Sequence, residues 1–278
     1  MKNKILSTLL VFVLLTSVFP LTAQKKIVIL HTNDTHSRIE PLPETDKYTP
    51  NRGGVLRRAN YIEQVRRENK NVILLDAGDY VQGTPYYNLF RGKVETETMN
   101  HMKYDVVTLG NHEFDYGLEG LTELADWAEF PIVASNYDFS NTALKDRFTP
   151  YIILERDGVK IGVIGVNVQP LGLIATDNYT DMDFLDPIET ANHYAQKLRS
   201  KENCDLIIAL SHLGYTTDKK LAEASEEIDI IIGGHSHTYM NEPDKVKNKH
   251  NNDVLIYQTA GRGVFVGRID IELEKVKE

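Results

Sequence analysis

Five short apolar runs end on residues that hold ions or move protons. Residues 27–30 lead into His31-Thr32-Asn33-Asp34-Thr35-His36, and residues 72–75 into Asp76-Ala77-Gly78-Asp79. Residues 106–109 lead into Gly110-Asn111-His112-Glu113-Phe114-Asp115. Residues 207–210 lead into Ser211-His212, and residues 230–232 into Gly233-Gly234-His235-Ser236-His237. Imidazole and carboxylate donors in one set suit zinc, manganese, iron, cobalt or nickel rather than calcium, which takes oxygen ligands. In an extended segment residues i and i+2 share a side, so Asp34/His36 and His235/His237 can each grip one ion. His36, His112, His212, His235 and His237 are five of the chain's nine histidines. Singly each reads as a hydrogen-bonded core or surface residue; jointly they read as a metal site.

Other chemistries fail on the residues. An H-E-x-x-H zinc helix beginning at His112 would need histidine where Tyr116 stands. No G-x-G-x-x-G opens a helix, and no Walker loop is present. His31 reads as the structural end of the first strand, Asp76 as closing a turn with Gly78, and Cys204 as a packed thiol. Sequons occur at Asn33 and Asn178, and a glycan on the first would sit on the proposed site.

The elements that must carry these residues follow from periodicity. Apolar, β-branched runs bounded by Gly, Asp and Asn predict strands at 26–30, 71–76, 105–109, 132–134 and 151–154. The same signal recurs at 160–166, 205–210, 228–232, 254–258 and 265–272. Helical-period segments cover 55–68, 93–102, 118–128, 187–199 and 218–224. Strand–helix alternation predicts an α/β layered fold, and Asp157-Gly158 predicts a hairpin, so the sheet is mixed. The intervening stretches 40–52, 167–186 and 241–252 read as loops. All five functional motifs fall at strand carboxyl ends, the edge where open α/β sheets bind ligands.

The chain has 278 residues, 41% of them hydrophobic, with a net charge of −9. That composition excludes a collagen-like or wholly disordered chain and makes a nucleic-acid partner a poor expectation. A single cysteine excludes an intrachain disulfide and a Cys-rich zinc site. Residues 1–23 carry Lys2 and Lys4, an apolar stretch over 5–19, then Pro20 and Thr22-Ala23. This is the layout of a signal peptide cleaved before Gln24. The expectation is a secreted or periplasmic protein, with 24–278 as one catalytic domain and no membrane association after cleavage.

Asp34-Thr35-His36, Gly78-Asp79, Gly110-Asn111-His112-Glu113, Ser211-His212 and Gly234-His235-Ser236-His237 together resemble the five signature blocks of the calcineurin-like metallophosphoesterases. The longer strings ILHTNDTHSRIEP, LLDAGDYVQGTP and VTLGNHEFDYG resemble the secreted 5′-nucleotidases and their cyclic-phosphodiesterase and nucleotide-sugar-hydrolase relatives. The resemblance runs from about 27 to 271. It implies a two-sheet mixed β-sandwich flanked by helices, with two divalent ions. Asp34, His36 and His237 would hold one ion and Asn111, His212 and His235 the other, with Asp79 bridging. It implies attack by a metal-bound hydroxide on a phosphate ester, most readily a 5′-nucleotide. Two ions about 3.5–4 Å apart can share a carboxylate and clamp a phosphate between them. Asn111 and His112 would contact the phosphoryl group, and His112 would stabilise the leaving group. Asp115 would orient the His112 ring, its competing role being an N-cap for the following helix.

Nucleotidases of that branch have a second domain that stacks the nucleobase and supplies arginines. The sequence ends at Glu278 without a segment of that kind, so the expectation is a separate nucleoside-binding polypeptide. The competing expectation is a metal-binding or partner subunit without turnover. Metal identity and the particular phosphate ester are not encoded legibly.

Overall fold

The computed structural model of the chain describes residues 25–273. The expected signal peptide, residues 1–23, lies outside them. Thirteen strands and six α-helices alternate among these residues. The first half contains β1 (Lys25–Thr32), α1 (Val55–Glu68), β2 (Val72–Asp76), α2 (Pro85–Phe90), α3 (Lys93–Met102), β3 (Val106–Thr108), α4 (Gly117–Trp127) and β4 (Ile132–Val133). Then come β5 (Tyr137–Asp138), β6 (Tyr151–Arg156), β7 (Val159–Val166), β8 (Asp183–Phe184), α5 (Pro187–Ser200) and β9 (Leu206–Ser211). The chain closes with α6 (Tyr215–Ala224), β10 (Ile230–Gly233), β11 (Asp244–Lys247), β12 (Asp253–Tyr257) and β13 (Gly267–Leu273). One turn of 3₁₀ helix forms at His112–Phe114 and another at Thr176–Tyr179.

Two sheets stack. The first has the order β13-β1-β2-β3-β4, parallel except for antiparallel β13. The second has the order β11-β12-β10-β9-β7-β6, with antiparallel β11 and β6 at its edges. Strand alternation sorts the apolar residues between layers. Ile27, Ile29, Ile73 and Leu75 face Ile161, Val163, Ile208, Leu210, Ile230 and Ile232 across the gap between the sheets. Their neighbours turn outward: Val28, Leu30 and Leu74 pack under α1 to α4, and Ile207, Ala209 and Ile231 pack under α5 and α6. Four layers result, helix–sheet–sheet–helix, as expected.

The helices follow their apolar spacing. In α1 Val55, Ile62 and Val65 are buried with Arg58, and in α5 Ala191, Ala195 and Leu198. Asp186 caps α5, its side chain accepting from the Ile188 and Glu189 N–H groups, with Pro187 in the first turn. The β6–β7 hairpin turns on Asp157 and Gly158, at φ 54° and 69°, both left-handed as a type I′ turn requires.

The sequence reading needs three corrections here. The 241–252 stretch is not all loop, because β11 forms there as a charged edge strand pairing with β12. An edge strand needs no apolar alternation to pair, so the pattern was silent. Within 167–186 the short β8 pairs with β5. Helix α2 also escaped notice, since only Tyr87 of its six residues is buried.

The sheets come into close contact at Gly165 of β7. A Cβ there would run into the Val133 carbonyl and the Thr108 hydroxyl of the first sheet. Ser135 N–H donates to the Gly165 carbonyl at 2.7 Å, and Gly165 N–H donates to the Ser135 hydroxyl at 3.1 Å. The Val133 carbonyl is main chain and the Thr108 hydroxyl is hydrogen-bonded to it at 2.8 Å, which leaves little room to yield. Gly165→Val is therefore expected to lower unfolding free energy by about 1–3 kcal/mol, the usual cost of overpacking. Urea denaturation followed by circular dichroism measures it, and an unchanged midpoint would contradict this account of the sheet contact.

Candidate metal centre

The seven expected ligands converge where the carboxyl ends of both sheets meet. Asp34 and His36 follow β1, Asp79 follows β2, and Asn111 follows β3. His212 follows β9, while His235 and His237 follow β10. Neither sheet could assemble the cluster alone.

Two groups of ligand atoms lie within 4.8 Å of one another: Asp34, His36 and His237, and Asp79, His212 and His235. Asn111 Oδ1 lies 3.0 Å from His235 Nδ1, which brings the amide to the second group. The groups adjoin through Asp79, which also clusters with His36 and His112.

The local backbone departs from the reading that led there. Asp34, His36, Asp79, His235 and His237 have φ of 49°, 47°, 56°, 68° and 49°. None is extended. The pairs meet because left-handed turns fold each segment back on itself, not because i and i+2 share a strand face. Such conformations are costly for residues with a Cβ and persist where their surroundings enforce them. Close backbone packing is part of that enforcement. A Cβ at Gly78 would strike the Leu109–Gly110 backbone, and one at Gly234 would strike the Ala77 carbonyl and the His212 ring.

Several side chains missed in the sequence hold these turns. Glu113 is buried and accepts from Asp79 N–H at 3.1 Å, Tyr80 N–H at 3.0 Å and Gly110 N–H at 2.5 Å. It joins the second and third motif loops. Asn33 donates to Asp34 Oδ2 and to the Ala260 carbonyl, each at 2.6 Å, while its own oxygen accepts from Thr259. Only 1% of Asn33 is exposed, so the folded chain cannot present this sequon for glycosylation. Gln258 donates to the Gly234 carbonyl at 2.9 Å and accepts from the Thr238 N–H and the Ser236 hydroxyl. The only sequence signal for Glu113 was its place in the third motif; Gln258 had none.

Electrostatics favour a cation. His212 Nδ1 lies 2.6 Å from the Ala77 carbonyl, which can only accept, so Nδ1 carries a hydrogen. Its other nitrogen, Nε2, then faces Asp79 Oδ2 at 3.1 Å. Burial opposes charge on His212, but Asp79 and Asp34 overcome it and push its pKa up to about 10. Burial raises the Asp79 carboxyl, but His212, His112 and His36 outweigh it and hold the group well below the usual range. His36 Nε2 and His237 Nε2 approach to 2.9 Å, a contact that needs a hydrogen or a metal ion between two lone pairs. His36 is pulled down by burial, whereas a bond to Asp34 raises His237. Burial and the charge of Asp79 raise Glu113 to about 8. Nitrogen and oxygen donors aimed at one another in this way fit divalent transition ions.

His112 stands beside the cluster, its ring centroid 5.4 Å from that of His36. Its N–H donates to Asp79 Oδ1 at 2.9 Å, and Nδ1 lies 3.0 Å from Asp115 Oδ2. A carboxylate accepts there, which leaves Nε2 as the ring nitrogen free to act. Burial opposes charge on this ring, and the Asp115 bond together with the charges of Asp79, Asp115 and Glu113 outweighs it to raise the pKa. Asp115 does not cap the following helix, whose N-cap is Tyr116. His31 lies within β1, the Asp76 carboxylate accepts from Gly78 N–H at 2.9 Å, and Cys204 is buried, all as read.

Stacked mixed sheets with an imidazole–carboxylate cluster across their carboxyl edges define a metallohydrolase-type scaffold. The chain belongs to the calcineurin-like phosphoesterase family, whose sequence profile matches residues 27–239. It is 38% identical over 254 residues to an apyrase of Tabanus yao, an alignment covering 86% of this chain and 44% of the apyrase. It is 33% identical over 278 residues to human 5′-nucleotidase, covering 92% and 48%. Among solved structures, a 5′-nucleotidase precursor from Thermus thermophilus superposes with a TM-score of 0.82 at 34% identity. That match covers 89% of this chain and 51% of the other. The chain thus spans about half the length of the curated relatives it matches.

Gln258→Leu removes every bond from this side chain to the His235–His237 turn while preserving bulk. Divalent-metal affinity is expected to fall about 10–100-fold, the usual effect of losing a group that orients ligands. Competition against a chelator measures it, and unchanged affinity would remove Gln258 from that role.

Proposed function

We propose that the mature chain, residues 24–278, is a secreted or periplasmic phosphoester hydrolase acting on 5′-nucleotides through two divalent ions. Asp34, His36 and His237 would hold one, Asn111, His212 and His235 the other, with Asp79 between. The observation that carries this reading is that Asp79 clusters with His212 and His235 on one side and with His36 and His112 on the other, His36 belonging also to the group of Asp34 and His237. When bound, such ions polarise a phosphoryl oxygen and lower the pKa of a coordinated water to near neutrality. The signal-peptide pattern of residues 1–23 supports export.

The chain's own residues do the rest. His112 presents Nε2 to the phosphate ester, because Asp115 holds the hydrogen-bearing Nδ1. From there it hydrogen-bonds a phosphoryl oxygen and supplies the proton that the leaving alkoxide needs. The Asn111 amide adds a second phosphoryl contact. Attachment of the His112 N–H to Asp79 fixes the ring's place relative to the metal ligands, so substrate and ions share one frame. A nucleoside-binding body beyond the described residues, on this or a separate polypeptide, would orient the base and sugar. Relatives about twice as long as this chain support that addition.

The test is hydrolysis of 5′-AMP and an aryl phosphate by the chain from Gln24 onward, with manganese, zinc or cobalt titrated. Metal-dependent phosphate release, absent in Asp79→Asn, is the expected result. Two bound ions with no release from either ester would favour the partner-subunit reading. Co-purification of a second polypeptide that raises AMP hydrolysis would support the added binding body, and full activity of the free monomer would dismiss it. His112→Ala should keep its metal, read by atomic absorption, while kcat falls about 10²–10⁴-fold, as expected for loss of proton transfer. Loss of metal together with activity would instead make His112 a ligand.

A further inference from the structure

We propose that Asp218 is a positioning residue for the ion held by Asn111, His212 and His235, acting through Ser211 to set the place of His212. The inference rests on the two-ion reading above and deepens it, since Asp218 is neither a proposed ligand nor a substrate contact.

The side chain lies where a carboxylate is costly. Asp218 belongs to the first turn of α6, yet no side chain caps that helix. Its carboxylate turns inward and is wholly buried. Oδ1 accepts from the Ser211 hydroxyl, whereas Oδ2 has no donor among the described residues. Burial pushes this acid up to about 7, with the Ser211 bond and His212 opposing it. An apolar side chain of similar size would fill the space without that cost. What the carboxylate supplies instead is an acceptor beneath a ligand loop.

Ser211 ends β9, and His212 follows it. The Ser211 oxygen accepts from the Leu213 N–H at 3.2 Å while its proton goes to Asp218, so this hydroxyl spans His212. On the ring itself, Nδ1 is tied to the Ala77 carbonyl, and Nε2 faces Asp79. Main chain and ring are thus fixed from two sides, the first by Asp218. The same helix end reaches the next ligand loop, where the Tyr215 N–H donates to Ser236 Oγ at 3.0 Å. Gly233, the β10 residue that pairs with Ser211, shows how closely these supports converge. A Cβ there would strike Asp218 Oδ2 and press on Gln258 Nε2. Gln258 serves the His235–His237 turn, and Asp218 serves His212.

Chelator competition with manganese on the chain from Gln24 onward tests this, with bound metal counted by atomic absorption. Asp218→Ala should weaken the ion at His212 about 10–100-fold, the usual effect of losing a group that orients a ligand. The loss should persist beside His237→Ala, which spares that ion, and vanish beside His212→Ala, which spares the other. Asp218→Asn, whose carbonyl still accepts from Ser211, should keep the affinity of the unmutated chain. Ser211→Ala, a milder change to the fold, should match Asp218→Ala, and the double variant should lose no more than either. Equal weakening in both backgrounds overturns the proposal and makes Asp218 a general support of the fold. A loss in Asp218→Asn as deep as in Asp218→Ala, or additive losses in the double variant, overturns it too. If the unmutated chain holds a single ion, the two-ion reading falls, and the Asn, Ala and Ser211 variants still decide whether that ion depends on Asp218.

Discussion

The structure depends on one buried carboxylate. Asp79 sits at the end of the first sheet, faces His212 from the second, and fixes the main chain of His112. Moving it from water into this interior is unfavourable unless positive charge surrounds it. Three imidazoles do so, and their own turns are then set by what they must reach. Glu113 makes the position rigid by receiving the N–H groups on either side of the contact. The strained backbone at the motif loops follows from that demand.

How much of this could be read in advance depended on the kind of signal. The four-layer fold was legible because apolar runs alternate between two buried faces, and helices such as α1 and α3 carried unbroken spacing. The residues of the cluster were legible because His, Asp and Asn sit at five strand ends. Their conformation was not. A left-handed turn at His36 or His237 leaves no mark on residue type when the residue is not glycine. Side chains that support the cluster were equally hidden, since Gln258 reaches the His235–His237 turn from twenty residues away. Its importance lies in hydrogen bonds that only folding reveals.

The two halves of the cluster come from different sheets, so its geometry reports how the sheets pack. Inter-sheet packing is tight at Gly165 and apolar through Ile29, Leu75, Ile208 and Ile232. A shift of one sheet by a fraction of an ångström would separate His212 from Asp79 before it disturbed either strand order. Proton placement, ligand placement and core packing are therefore one problem. The second sheet contributes no carboxylate to the two donor groups, and the first contributes both, Asp34 and Asp79.

That division has a mechanical consequence. Cys204 is the chain's only cysteine, so no intrachain disulfide can tie one sheet to the other. An ion gripped by Asp34 and His36 on one side and His237 on the other would act as a removable cross-link. Toward such a chain a chelator behaves as a reducing agent does toward a disulfide-bonded one, releasing a long-range tie without cutting the backbone. Resistance to heat and proteases would then follow the supply of metal around the protein as well as its sequence.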